Sequence, residues 1–211
     1  MASKKLRQFD RQLKAIAAPE MDRHEFVFDG RRTFRRDVRH DPSPYIQIVE
    51  FQIGTKSLSG RFTVNLGVYN ESYQPEDQKR ADGPLQPSPA QCMSDLSDRL
   101  GYFCDPPRGF WSRLLRLPSQ PPHDYWWPQH ENDRKMQSVL RQVIDCIIHR
   151  GIPWLDKMSC VEAFDWAKHE LARRKKWKAE MHAGQGSAHF ESQSFDDWLK
   201  TPGGMKREQR S

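Results

Sequence analysis

Asp41, Glu50 and Gln52 come nearest to a catalytic spacing in this 211-residue chain. Divalent-metal nucleases often combine an Asp on one element with a Glu-x-Lys or Glu-x-Gln on the next strand. The carboxylates hold the metal and the third residue orients the attacking water. Here the pattern is short, and Asp41 heads an Asp-Pro-Ser-Pro run, where an Asp commonly bonds its own backbone in a turn. No catalytic residue is assigned on this basis. His123 and His130 stand seven apart with no third ligand in register, and Cys92, Cys104, Cys146 and Cys160 form no C-x-x-C pair, so no metal site is expected. The chain also lacks the glycine signatures of dinucleotide and P-loop sites and the G-x-S-x-G elbow, so no cofactor is expected.

Recognition chemistry is better represented. Arg31, Arg32, Arg35, Arg36 and Arg39 crowd one short stretch. Arginine suits bidentate contacts to carboxylate or phosphate, and it also guards an edge strand against aggregation. Gln52, Thr63, Asn65 and Tyr69 fall on the same face if their two strands pair, with Glu50 beside them. That polar patch suits a partner's backbone, or consists of cross-strand pairs on a wet face. Trp126 and Trp127 suit stacking on a base or anchoring an interface, or fold back as a second small core. The candidate partner-binding set is therefore Arg31, Arg35, Arg39, Gln52, Thr63, Asn65, Tyr69, Trp126 and Trp127.

The elements that must position these residues are legible in the spacing. Leu6, Phe9, Leu13 and Ile16 recur every three or four residues, predicting an amphipathic helix that ends before Pro19. Asp29-Gly30 between two strand-like runs, His24–Phe28 and Thr33–Val38, signals a hairpin. Tyr45–Ile53 and Arg61–Tyr69 follow as strands. In the second, Phe62, Val64, Leu66 and Val68 alternate strictly with Arg61, Thr63, Asn65, Gly67 and Tyr69, as in a strand with one face on the core. A short helix is predicted around Met93, Leu96 and Leu100. Proline-rich stretches at 70–91 and 105–130 predict long loops. Met136 to Ile147 predicts a helix stopped by Gly151 and Pro153. Ser159 and Glu162 fit a capping box for a further helix, with Cys160, Phe164, Ala167 and Leu171 as its buried stripe. Basic residues Arg173, Arg174, Lys175, Lys176 and Lys178 extend that helix.

The order of landmarks resembles the bacterial domain-of-unknown-function 4304 family over about residues 5–170. The resemblance rests on Thr33-Phe34-Arg35-Arg36, Glu50-Phe51-Gln52, Phe62 to Tyr69, the pair Trp126-Trp127 and Ile152-Pro153-Trp154-Leu155. It departs at Phe28-Asp29-Gly30, where a Gly-Phe is expected, and in the C-terminal tail. It implies domain extent and a bacterial origin, and no reaction.

Composition sets the remaining bounds. Lys and Arg number 34 against 28 Asp and Glu, a formal charge of +6. Residues 1–40 hold eleven Lys/Arg against six Asp/Glu, so nucleic acid is an alternative partner through residues 31–39 and 173–178. At 36% hydrophobic residues the chain falls below the usual globular share, which predicts a packed domain diluted by polar segments. The N-terminus lacks the apolar stretch of a secretory signal and no span reaches membrane length. Four reduced thiols and a cytoplasmic setting are expected.

The fold expected is α+β: about four antiparallel strands, with an N-terminal helix and a C-terminal helix pair on one face. One domain covers 1–183, and 184–211 is read as a flexible tail in which only Phe195 to Leu199 is able to dock. The expected core comprises Phe62, Val64, Leu66 and Val68 from the sheet and Leu13, Val143, Ile147, Phe164 and Leu171 from the helices. The function expected is a non-enzymatic protein-binding module of immunity-like or adaptor type. The alternative is a nucleic-acid-associated protein, with metal-dependent cleavage centred on Glu50.

Overall fold

Proline 19 does not end the N-terminal helix. In the computed structural model, which describes residues 4–38, 44–73, 86–104, 126–183 and 189–201, helix α1 (Lys4–Gln12) runs through a π-helical turn, Leu13–Ala17, into α2 (Ala18–Asp22). The same device recurs later. Helix α3 (Asp133–Cys146) passes through the π turn Ile147–Gly151 into α4 (Ile152–Met158), which carries Pro153. A proline lacks an N–H and its ring clashes with the carbonyl four residues back. Widening the preceding turn moves that carbonyl aside and lets the helix continue. Ala18 and Ile152 accordingly donate to Leu13 and Ile147, five residues back.

The sheet is antiparallel in the order β1 (Val27–Phe28), β2 (Thr33–Val38), β3 (Tyr45–Ile53), β4 (Arg61–Tyr69), β5 (Ser97–Arg99), with β6 (Trp127–Pro128) also pairing β4. Strands β2, β3 and β4 form its body, and the other three are short. Gly30 and Gly60, at the β1–β2 and β3–β4 turns, both adopt φ of +80°, a conformation that costs glycine nothing. Residues 97–99, expected inside a short helix, form β5 instead, flanked by single 3₁₀ turns at Ser94–Leu96 and Leu100–Tyr102. Three residues are too few for periodicity to distinguish strand from helix.

The helices over 4–22 and 133–182 pack on the inner sheet face. Phe9 of α1 meets the rings of Phe62 at 4.8 Å and Phe51 at 6.2 Å. Phe62, Val64, Leu66, Val68, Leu13, Val143, Ile147 and Phe164 are wholly buried, as their spacing predicts. Leu171 is not: it is 39% exposed, while its neighbour Glu170 is fully buried. Helix α5 (Val161–His182) is overlaid on a second side by residues 189–199, and this turns the buried stripe by one position.

The expected capping box is absent too. The N-cap of α5 is Cys160, and Ser159 turns inward, donating to the Leu155 carbonyl at 2.7 Å and accepting from Gln47 at 2.9 Å. Cys104 and Cys146 are joined in a disulfide and Cys92 and Cys160 are free, so the expectation of four thiols is corrected. Their Cα atoms stand 6.4 Å apart, within bridging range, a proximity that a separation of 42 residues conceals. The final helix, α6 (Phe195–Leu199), buries Phe195 and Trp198, so this part of the tail belongs to the packed body. No helix among the described residues is long and apolar enough to cross a membrane.

Candidate functional site

The strand register builds one row of polar side chains on the outer sheet face. Glu50 of β3 pairs Asn65 of β4, and Asn65 pairs Arg99 of β5, so acid, amide and guanidinium lie side by side across three strands. Gln52 pairs Thr63 in the next row. One nitrogen holds the group in order: Asn65 Nδ2 donates to Glu50 Oε2 at 3.1 Å and to Gln52 Oε1 at 2.9 Å. These residues form part of an open cleft of about 530 Å³, closed on the far side by Pro89, Ala90, Ser97, Asp98 and Tyr102. Arg99 lies over the Trp126 ring, 5.5 Å from its centroid, and Tyr102 is exposed.

The segment that makes the far wall reaches the sheet because of one glycine. A Cβ at Gly67 would stand 2.7 Å from Cys92 Sγ and 3.3 Å from Pro89 Cα, so residues 86–92 lie directly on the backbone of β4. Burial pushes the Cys92 thiol up to about 12, so it stays protonated and unreactive at neutral pH. Beneath it, Ile46, Ile48 and Tyr69 form a small apolar cluster. The outer face is therefore divided: its Tyr69 end is covered, and its Asn65 end opens on the cleft.

The candidate residues separate accordingly. Gln52, Asn65 and Trp126 meet at or beside the cleft. Thr63 is wholly buried and Tyr69 belongs to the covered cluster. Trp127 is core, its ring 5.9 Å from Phe62. Arg35 is structural: its Nε donates to the Pro87 carbonyl at 2.9 Å and it pairs with Asp29 at 3.3 Å, which fastens the covering segment to the hairpin. Arg31 is exposed at the turn. Arg39 and Asp41 lie outside the described residues, as do residues 74–85 and 105–125 of the expected loops. Spacing missed Ser97, Arg99 and Tyr102, for the same reason that it missed β5.

The rest of the arginine run is also engaged within the fold. Arg32 grips both oxygens of Asp10, at 2.7 and 2.9 Å. Arg36 points inward to Gln47, Asp156 and the Phe26 ring. Asp29 is pushed up by burial, but the N–H groups of Arg31 and Thr33 and the Arg35 guanidinium outweigh that and hold it below the ordinary carboxylate range. In the second basic cluster Arg173 pairs with Glu170, Arg174 with Asp95, and Lys176 with Glu180, while Lys175 and Lys178 are exposed. Among the described residues no three His, Cys, Asp or Glu side chains are grouped to hold a metal ion. Comparison of the chain with family models, with curated proteins and with solved structures finds no match.

Proposed function

We propose that this chain is a protein-binding module, immunity-like or adaptor in type, whose partner enters the outer-face cleft. The observation that carries this reading is the Glu50–Asn65–Arg99 row at the floor of an open 530 Å³ cleft. Acid and amide, joined by a hydrogen bond, and the guanidinium on the next strand match a partner segment presenting a donor to Glu50 and an acceptor to Arg99. The neighbouring Tyr102 and Trp126 are residue types that anchor interfaces. Membership of the domain-of-unknown-function 4304 family belongs to the same proposal and supplies extent, not activity. The Cys104–Cys146 disulfide favours an oxidising setting over the expected cytoplasmic one, since a reducing compartment opens such bonds.

The test is a comparative capture from native cells at physiological salt, with and without nuclease treatment. Full-length chain is set against Asn65→Ala/Tyr102→Ala, both surface changes that should leave the melting curve in place. Expected is a discrete protein held by the first and lost by the second. Identical capture by both refutes the cleft. Material removed by nuclease favours nucleic acid instead.

A further inference from the structure

Residues 190–195 run back along α5. Phe190 meets the Trp177 ring at 5.6 Å, and Arg173 donates to the Glu191 carbonyl at 3.1 Å. Glu170 accepts from the Ser192 hydroxyl and the Gln193 N–H, each at 3.4 Å. Trp166 Nε1 donates to the Gln193 carbonyl at 3.0 Å, and its ring meets Phe195 at 5.6 Å. Helix numbers fall from 177 to 166 as strap numbers rise from 190 to 195, so the strap runs antiparallel to the helix. The helix rises roughly 16 Å over that span and an extended chain covers roughly 17 Å. The two lengths match, and the strap lies straight in its groove.

Two features distinguish this groove from ordinary packing of a tail. The first is Glu170, a wholly buried carboxylate. Arg173 pairs with its Oε1, whereas Oε2 takes its hydrogen bonds from the strap. A buried charge needs such bonds, so α5 carries an acceptor whose partner is an extended peptide. The second is the kind of contact: Arg173 and Trp166 read carbonyls and Glu170 reads an N–H, groups that any peptide offers, with the Ser192 hydroxyl added at Glu170. Side-chain selection comes at Phe190, against the Trp177 ring, and again at the end of the strap. There Ser194 caps α6 by accepting from the Asp197 N–H at 3.1 Å, Phe195 and Trp198 are buried, and Lys157 of α4 pairs with Asp196 at 2.7 Å. Backbone reading followed by a short anchored turn is a peptide-recognition mode. Gly184, Gly186 and Ser187 link the strap to α5.

We infer that the groove of α4 and α5 is a peptide-recognition site filled in cis by residues 190–199. Its partner in trans is a peptide of the same chemistry, an extended lead and then one helical turn with Phe and Trp flanking two acids, and it enters by displacing the strap. A tethered ligand competes at an effective concentration on the order of millimolar, so the filled groove masks its affinity.

The probe is a fluorescent synthetic peptide of residues 189–201, read by anisotropy against the full-length chain. Weakening the strap by Phe195→Ala/Trp198→Ala should tighten peptide binding at least about tenfold over the unaltered chain. Adding Lys157→Glu should abolish that gain, and a peptide carrying Asp196→Lys should restore it. No binding to the Phe195→Ala/Trp198→Ala chain, or binding indifferent to Lys157→Glu, overturns the inference. If that chain loses its cooperative melt, hydrogen exchange on the unaltered chain with excess peptide decides. Faster exchange confined to 190–199 supports displacement, and unchanged exchange overturns it. An unaltered chain that is dimeric, and becomes monomeric with Phe195→Ala/Trp198→Ala, assigns the groove to exchange between copies and overturns the reading of a separate partner.

Discussion

Arg36 donates twice to one oxygen of Gln47, from Nε at 2.9 Å and from Nη2 at 2.6 Å, on the side of the sheet that faces the helices. The Gln47 amide nitrogen continues the network to Ser159 at 2.9 Å and to Asp156 at 3.1 Å, while Arg36 also reaches the His24 carbonyl at 3.3 Å. Two polar side chains on adjacent strands thus tie the sheet to the end of α4 and to the turn before α5. Gln47 is wholly buried, so each of its bonds is made in a medium where an unmade one is costly.

Removing either member should therefore cost more than removing both suggests. Gln47→Leu strips two bonds from a nearly buried guanidinium, at about 2–4 kcal/mol. Arg36→Leu leaves Gln47 short of a donor, at a similar cost. The double replacement should fall below the sum by about 1–3 kcal/mol, the coupling typical of contacting residues. Urea unfolding of the four proteins measures it, and strict additivity would show that the network is not a unit.

Gly67 and Cys92 make a second coupled pair. Gly67→Ala drives a methyl into the sulfur 2.7 Å away and should cost about 1–3 kcal/mol through displacement of residues 86–92. Cys92→Ala in the same chain should return much of that loss. Alkylation at pH 8 followed by mass spectrometry gives a second reading. Cys92, its thiol pushed up to about 12, should resist in the unaltered protein and react in Gly67→Ala. The same spectra should show a linked Cys104–Cys146 peptide without reductant.

Acid should act through Asp29. Its carboxyl is held below the ordinary carboxylate value in the folded chain. Its stabilisation is therefore complete above the unfolded value near 3.9 and is lost as pH falls through the folded one. Asp29→Asn removes the titrating group. The stability difference between pH 5 and pH 2.5 should be smaller in that variant, measured by urea melts at both pH values. An equal difference in the two proteins would assign the acid loss to other carboxylates.

Long alternations and long helical stripes speak through sequence alone, because burial on one face repeats along the chain. Phe62, Val64, Leu66 and Val68 declare the inner sheet face that way, and Phe9 and Leu13 declare the first helix. The grouping of Glu50 with Gln52 and Asn65 follows from the same alternation once the two strands pair. What lies over that face does not repeat. The closure of its Tyr69 end depends on one absent Cβ at Gly67, and the third member of the polar row, Arg99, comes from a strand of three residues. The arginines show the same division. Their charge is plain in the sequence, but their partners Asp10, Pro87 and Asp156 are distant in the chain and meet them only in the folded protein. Composition sees a basic patch; the tertiary structure has already spent most of it on holding helices and loops to the sheet. Local periodicity reports which face is buried, and only the packed chain determines what each charged side chain finds there.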